Sequence, residues 1–217
     1  RNVLCLTGDS MVLGPGPQGR MDVVDLDGIQ MLWILRRMRD EAKYLDGREI
    51  KTPPKYFLGA AASPFASNMK FQALREQKKV NAGAQFVQSQ YCFDVPMFRT
   101  FMQKARDLGH TEKVFILVGV GPLASAKTAK WIRSNVPGIH IPDSVIKRLE
   151  GAQDQKKEGK QLCIDIINEV KEIPGVAGIH VMAYRQEEDV AEIVDESGVL
   201  KGRKPWKREA GRSDRMV

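Results

Sequence analysis

The residues with the richest chemistry lie in the stretch Lys79-Val-Asn-Ala-Gly-Ala-Gln-Phe-Val-Gln-Ser-Gln-Tyr-Cys-Phe-Asp94. A helical pattern closes at Lys79 and Val80, and Gly83 supplies the left-handed stop that lets the chain turn. Phe86 and Val87 favour a strand, while Gln88, Ser89 and Gln90 put hydrogen-bonding groups where that strand leaves its sheet. In parallel α/β proteins the carboxyl ends of the strands carry the chemistry. That rule nominates Gln90 and Asp94 as site residues.

Three other places offer chemistry. Thr7-Gly8-Asp9 ends an apolar run. Glycine there allows a flat ligand close to the backbone, and the carboxylate of Asp9 can bond a ring N–H, repel negative charge or cap a turn. The Gly- and Pro-rich loop Ser10–Arg20 suits a lid or an ordinary surface connection. Ala60-Ala-Ala-Ser63-Pro64 leaves a second apolar run with small side chains, so a bulky planar group can approach. The helix after it offers Gln72, Arg75, Lys78 and Lys79. The three cations are spaced to share much of one helical face, which neutralises a pyrophosphate or simply stays solvated.

These groups need a scaffold. Val3–Leu6, Tyr56–Ala60, Gln85–Ser89, Val114–Val118 and Gly178–Met182 are short, apolar and bounded by turn residues, as buried parallel strands are. Amphipathic periods predict helices over Asp27–Tyr44, Ser67–Asn81, Val95–Leu108, Ser125–Ser134, Ser144–Leu149, Lys157–Glu172 and Glu187–Glu196. Strands alternating with helices mean βαβ units on a parallel sheet.

The chain has 217 residues, 42% of them apolar and 28% charged, which is ordinary for a soluble globular protein with one sizeable core. No apolar run approaches the roughly 18 residues of a membrane span. Cys5, Cys92 and Cys163 are isolated and odd in number, so neither a disulfide framework nor a zinc ribbon is expected, and a reducing cytoplasm is. Cys5 reads as a small core residue, and Cys92 is left open as a ligand contact. Seven of the basic residues but only two acidic ones fall in 201–217, +5 of a net +7. That tail reads as a solvated or partner-docked extension, or as an arm for nucleic acid. The body is near neutral, which argues against a nucleic-acid-binding domain.

The pattern K-V-x-A-G-A-x-F-x-Q-S-Q-x-x-F-D resembles the core signature of the methylenetetrahydrofolate reductase family. Similar matches flank it in the same order: Asn2–Asp9, Phe57–Pro64, Leu117–Pro122 with Ile139–Pro142, and Gly175–His180. The resemblance covers most of residues 1–199 and leaves 200–217 as a basic C-terminal extension. It implies a (β/α)8 TIM barrel, of which this chain holds the last five βα units, since an eight-stranded barrel takes about 250 residues. An incomplete sequence is therefore expected.

The resemblance also implies an activity: reduction of 5,10-methylenetetrahydrofolate to 5-methyltetrahydrofolate by hydride transfer from FAD. By the same resemblance Asp9 is the catalytic residue, tuning the flavin beside the pterin. Thr7, Gly8, Asp9, Ala60, Ser63, Gln72, Arg75, Lys78 and Lys79 fall at cofactor-binding positions, and Gln90, Trp131 and Met182 at folate-binding ones. An amide both donates and accepts, which suits Gln90 to a pterin edge, although a strand-end glutamine also bonds backbone. Many relatives carry Arg where Thr7 stands, and some carry aromatic and His residues where Ala60–Ser63 are small. The family's proton donor belongs to a strand absent here. His180 reads as a core histidine. NAD(P)H or a redox partner protein would supply electrons, within a homo- or hetero-oligomer. Two alternatives remain: a non-catalytic barrel subunit that binds flavin or folate, and a methyltetrahydrofolate-dependent methyltransferase. No metal is expected.

Overall fold

The computed structural model describes residues 1–7, 25–66 and 68–202. Five strands, β1 (Asn2–Cys5), β2 (Phe57–Ala62), β3 (Phe86–Tyr91), β4 (Phe115–Val120) and β5 (Val176–Val181), pair in that order, all parallel, into one sheet. Helices α1 (Gly28–Asp40), α2 (Met69–Ala82) and α3 (Val95–Asp107) connect the first four strands. Three more, α4 (Ala126–Asn135), α5 (Asp143–Glu150) and α6 (Gln155–Val170), lie between β4 and β5, and α7 (Val190–Glu196) follows. This is the expected fold class, a partial TIM-barrel-like α/β sheet.

Local chemistry sets the helix ends. Asp27 caps α1 through the N–H groups of Ile29 and Gln30, and the Gln30 side chain returns the bond to the cap backbone. Asp94, Ser125 and Asp154 cap α3, α4 and α6, each accepting from one backbone N–H three residues on. Gly83 closes α2 at φ 115°, a left-handed geometry that costs a side-chain-bearing residue dearly.

Two helices differ from expectation. α1 stops at Asp40 because Ala42 turns to φ 52° and Lys43 pairs antiparallel with Glu49 across a tight Asp46-Gly47 turn. The segment expected over Glu187–Glu196 splits into a 3-10 turn, Glu187–Asp189, and α7.

Each strand sorts its side chains by alternation. One face turns Val87, Ile116, Val118 and Val120 into a core with Phe98, Phe101, Met102, Leu162 and Ile167, while Cys5, Leu58 and Ala60 pack with Leu32, Ala82 and Ala84. The opposite, concave face carries Leu4, Phe57, Phe86, Phe115 and Leu117 around a cavity of about 560 Å³. Phe57 and Phe86 stack there with ring centroids 5.5 Å apart. Phe115 is 58% exposed, so this apolar floor is open. Among the described residues no helix is long and apolar enough to cross a membrane.

Candidate functional site

At the carboxyl ends of the strands lies a second cavity, of about 430 Å³. Leu4, Leu6 and Thr7 line it from β1 and the residues after it, Ala61–Ser63 from the end of β2, Gln88–Gln90 from β3, and His180 and Met182 from the end of β5. Arg75 and Lys79 enter from α2, and Pro137 closes one side from the connection after α4. Thr7, Ser63, Arg75, Lys79, Gln90 and Met182, singled out in the sequence, thus share one opening.

The strand ends are tied together by side chains. Register shifts between Gln88 and Tyr91, a bulge that re-aims the side chains of that segment. The Ser89 hydroxyl donates to the Gln90 carbonyl at 2.9 Å and accepts from the Gly119 N–H at 2.9 Å, joining β3 to β4. The Tyr91 hydroxyl donates to the Met182 carbonyl at 2.7 Å, tying β3 to the end of β5. Gln90 Oε1 accepts from the Tyr91 N–H at 3.0 Å, so its amide NH₂ is the group left for a ligand. The Thr7 hydroxyl accepts from the Gly28 N–H at 3.0 Å and seats the start of α1 against β1.

Electrostatics concentrate on α2. Lys79 Nζ donates to the Ala61 carbonyl at 2.5 Å. Burial is the main cause that holds its pKa below the ordinary value, and the neighbouring Arg75 adds to it, while Glu76 and Asp27 act in the opposite sense. His180 is also held below the ordinary histidine value, by burial, and so is neutral near pH 7. Among the described residues no group of His, Cys, Asp or Glu could hold a metal ion.

Several nominated residues stand elsewhere. Ala60 is wholly buried against the helices; strand alternation turns Ala61, not Ala60, to the cavity. Lys78 is exposed on α2 and Trp131 is 60% exposed on α4, neither at the cavity, where Pro137 is what that region contributes. Gln72 lines a small side pocket with Arg75 and Lys79. Asp94 caps α3, accepting from the Met97 N–H at 2.8 Å, and its other oxygen lies 3.1 Å from His140 Nδ1. Both carboxylate oxygens are thus engaged in structure. Cys92 is buried among the helix-facing core residues, and burial pushes its thiol far up. Gly8, Asp9, the loop Ser10–Arg20 and the tail beyond Gly202 lie outside the described residues.

Two residues escaped the sequence reading. His180 lines the mouth and is no core histidine; it sits two positions before Met182, so a strand period would have put both on one face. Glu76 is buried beneath the mouth, yet in the sequence it is one charge among many on a helix.

The molecule has relatives. It is 26% identical over 220 residues to a protein of Caenorhabditis elegans described as a probable methylenetetrahydrofolate reductase (NADPH), a match that takes in 95% of this chain. The chain spans about 30% of that relative's length. It also superposes with a TM-score of 0.52 on an uncharacterized protein from Clostridium thermocellum described as binding two copies of 5-methyl-5,6,7,8-tetrahydrofolic acid. That match has 19% identity and covers 76% of this chain and 66% of the other, so the likeness concerns the fold alone. The description that accounts for nearly the whole chain is Methylenetetrahydrofolate reductase, matched over residues 1–198, and the protein belongs to that family.

Proposed function

We propose that the protein acts in the reduction of 5,10-methylenetetrahydrofolate to 5-methyltetrahydrofolate, with FAD held at the strand ends. The observation that carries this reading is the convergence of Arg75, Lys79, Gln90 and Met182 on one cavity. The residues present fit a flavin dinucleotide. Two cations stand side by side, as a diphosphate requires. Ala61 and Ser63 are small enough to let a flat ring approach the backbone. The volume of about 430 Å³ lies within the common range for small-molecule sites.

When bound, FAD supplies the hydride that reduces the methylene carbon. The chain binds, orients and shields. Arg75 and Lys79 would neutralise the diphosphate, with Gln72 beside them. The Gln90 amide would donate to the pterin, and Met182 and His180 would wall the folate from solvent. Asp9 keeps its proposed role beside the flavin. NAD(P)H or a redox partner protein as electron donor, and an oligomeric assembly, belong to the same proposal.

The test is the absorption spectrum of the purified full-length protein after reconstitution with FAD. Flavin bands that bleach with a reductant and recover on adding 5,10-methylenetetrahydrofolate support the reading. A colourless protein overturns it. A yellow protein without turnover replaces it with a binding subunit.

A further inference from the structure

The cationic edge of the mouth rests on a buried acid. Glu76 lies one turn before Lys79 on α2; its side chain is 1% exposed, and neither carboxylate oxygen has a hydrogen-bond partner among the described residues. His110, in the turn before β4, is wholly buried and places Nδ1 3.6 Å from the carboxylate. Its Nε2 stands 2.9 Å from Gln77 Oε1. An amide oxygen only accepts, so Nε2 carries a hydrogen, and Nδ1 is the ring atom turned towards Glu76. At 3.6 Å the two groups make no hydrogen bond.

Cations lie on the other side, none of them hydrogen-bonded to the carboxylate. Glu76 shares a pocket of about 50 Å³ with Ala61, Ala62, Ser63, Gln72, Arg75 and Lys79, room for about one or two waters. Ala61, Ser63, Arg75 and Lys79 also line the mouth, so this pocket is its side chamber. Lys79 is three positions on from Glu76 and so a neighbour on the helix surface. Its ammonium is bonded to the Ala61 carbonyl. A buried carboxylate with no donor, sharing a chamber with a largely buried ammonium, is an arrangement in which each charge stabilises the other.

We propose that Glu76 is a positioning residue, the buried counter-charge that keeps the Lys79 ammonium protonated and in place, so that Arg75 and Lys79 hold a phosphoryl group at alkaline as well as neutral pH. The identity of that phosphoryl group as part of FAD rests on the function proposed above; the influence of the Glu76 charge on Lys79 does not. The charged groups facing Lys79 are Arg75 and Glu76 on its own helix and Asp27 at the head of α1. His110 stands behind Glu76, and His180 lines the shared cavity. The strand residues lining this side, Thr7, Ala61, Ala62 and Ser63, carry no charge.

The sign follows from the charges. An anion site needs the ammonium, which is lost as pH rises through the Lys79 pKa; removing a nearby negative charge brings that loss to lower pH. The experiment titrates Lys79 by NMR in full-length protein with isotope-labelled lysine, the signal assigned with Lys79→Arg. In Glu76→Gln the midpoint falls by up to about one pH unit, a tenfold change. The exposed Lys78 barely moves, and His110→Gln, which keeps the carboxylate, leaves Lys79 nearly unchanged. FAD affinity of Glu76→Gln then drops up to about fivefold more at pH 9 than at pH 7, while riboflavin, which has no phosphate, loses no affinity selectively at pH 9. Should Glu76→Gln fail to fold, Glu76→Asp moves the midpoint in the same direction by less.

An unmoved Lys79 midpoint in Glu76→Gln overturns the proposal. So does a uniform loss of affinity at both pH values with unchanged lysine titration, which marks a purely structural glutamate. If FAD fails to bind the wild type, the flavin reading falls while the lysine titration still decides the influence of the Glu76 charge.

Discussion

Substituting Gly119 tests whether the mouth is held by main-chain contact. A Cβ built on Gly119 would stand 2.3 Å from the Ser89 carbonyl oxygen, 2.8 Å from that of Gln90 and 2.6 Å from Met182 Cε. Ordinary contact begins at about 3.4 Å, so Gly119→Ala forces β3 and β4 apart by about 1 Å. Two of the atoms met are backbone and cannot swing away. Overpacking of this kind costs about 1–3 kcal/mol. The same displacement strains the Gly119 N–H bond to Ser89 and the Cys92 N–H bond to the Gly119 carbonyl, 2.9 and 2.8 Å long, adding about 1 kcal/mol if one is lost. The expected destabilisation is therefore about 2–4 kcal/mol. It is read as a lower midpoint in urea unfolding at unchanged slope. The control is Gly178→Ala on the adjacent strand β5, whose Cβ would meet only the flexible Leu117 side chain, at 3.3 Å. That change should cost less than about 1 kcal/mol. Equal effects of the two substitutions, or a Gly119→Ala variant within about 0.5 kcal/mol of wild type, would refute the argument.

Three further outcomes follow from the same structure. Asp94→Ala removes the cap of α3 and the partner of His140 and should cost about 0.5–2 kcal/mol in urea unfolding, with the His140 NMR signals displaced. Gln85→Leu deletes the oxygen that accepts from the Leu58 N–H at 3.1 Å and from Arg39 at 2.5 Å, so it should destabilise by about 1–3 kcal/mol although leucine is more apolar. A stable variant would mean that water replaces the amide. The thiols of Cys5, Cys92 and Cys163 are all buried and pushed up, Cys163 to about 12, so a thiol reagent should react only on unfolding. The linkage runs one way: the folded state keeps these protons, so their contribution is full below the unfolded thiol value near 9 and declines as pH rises towards 12. Stability that rises above pH 9 would contradict this burial.

The sheet was legible because each strand is a short apolar run bounded by turn residues, and because capping residues such as Asp27 and Ser125 mark the helix starts. Gly83 announced its own geometry. The site was legible in part. Gln90, Lys79 and Met182 follow from strand and helix ends, since those positions face outward from the sheet by construction. Asp94 misled because a carboxylate after a strand is equally a cap, and only the Met97 N–H decides between them. Ala60 misled by one position, since alternation along β2 depends on a register that pairing with β3 sets. Glu76 was hidden for a different reason. It packs against His110, a residue far along the chain, and no local pattern encodes that meeting.

The bond from Tyr91 to Met182 reaches a carbonyl and not a side chain. The distance across the opening at that point is therefore indifferent to which residue occupies position 182. Exchange of Met182 for a larger or more polar group would alter the shape of the wall while leaving the frame alone, whereas loss of the Tyr91 hydroxyl would loosen the frame whatever the wall is made of. Selectivity and rigidity are separable here, and the two can be engineered independently.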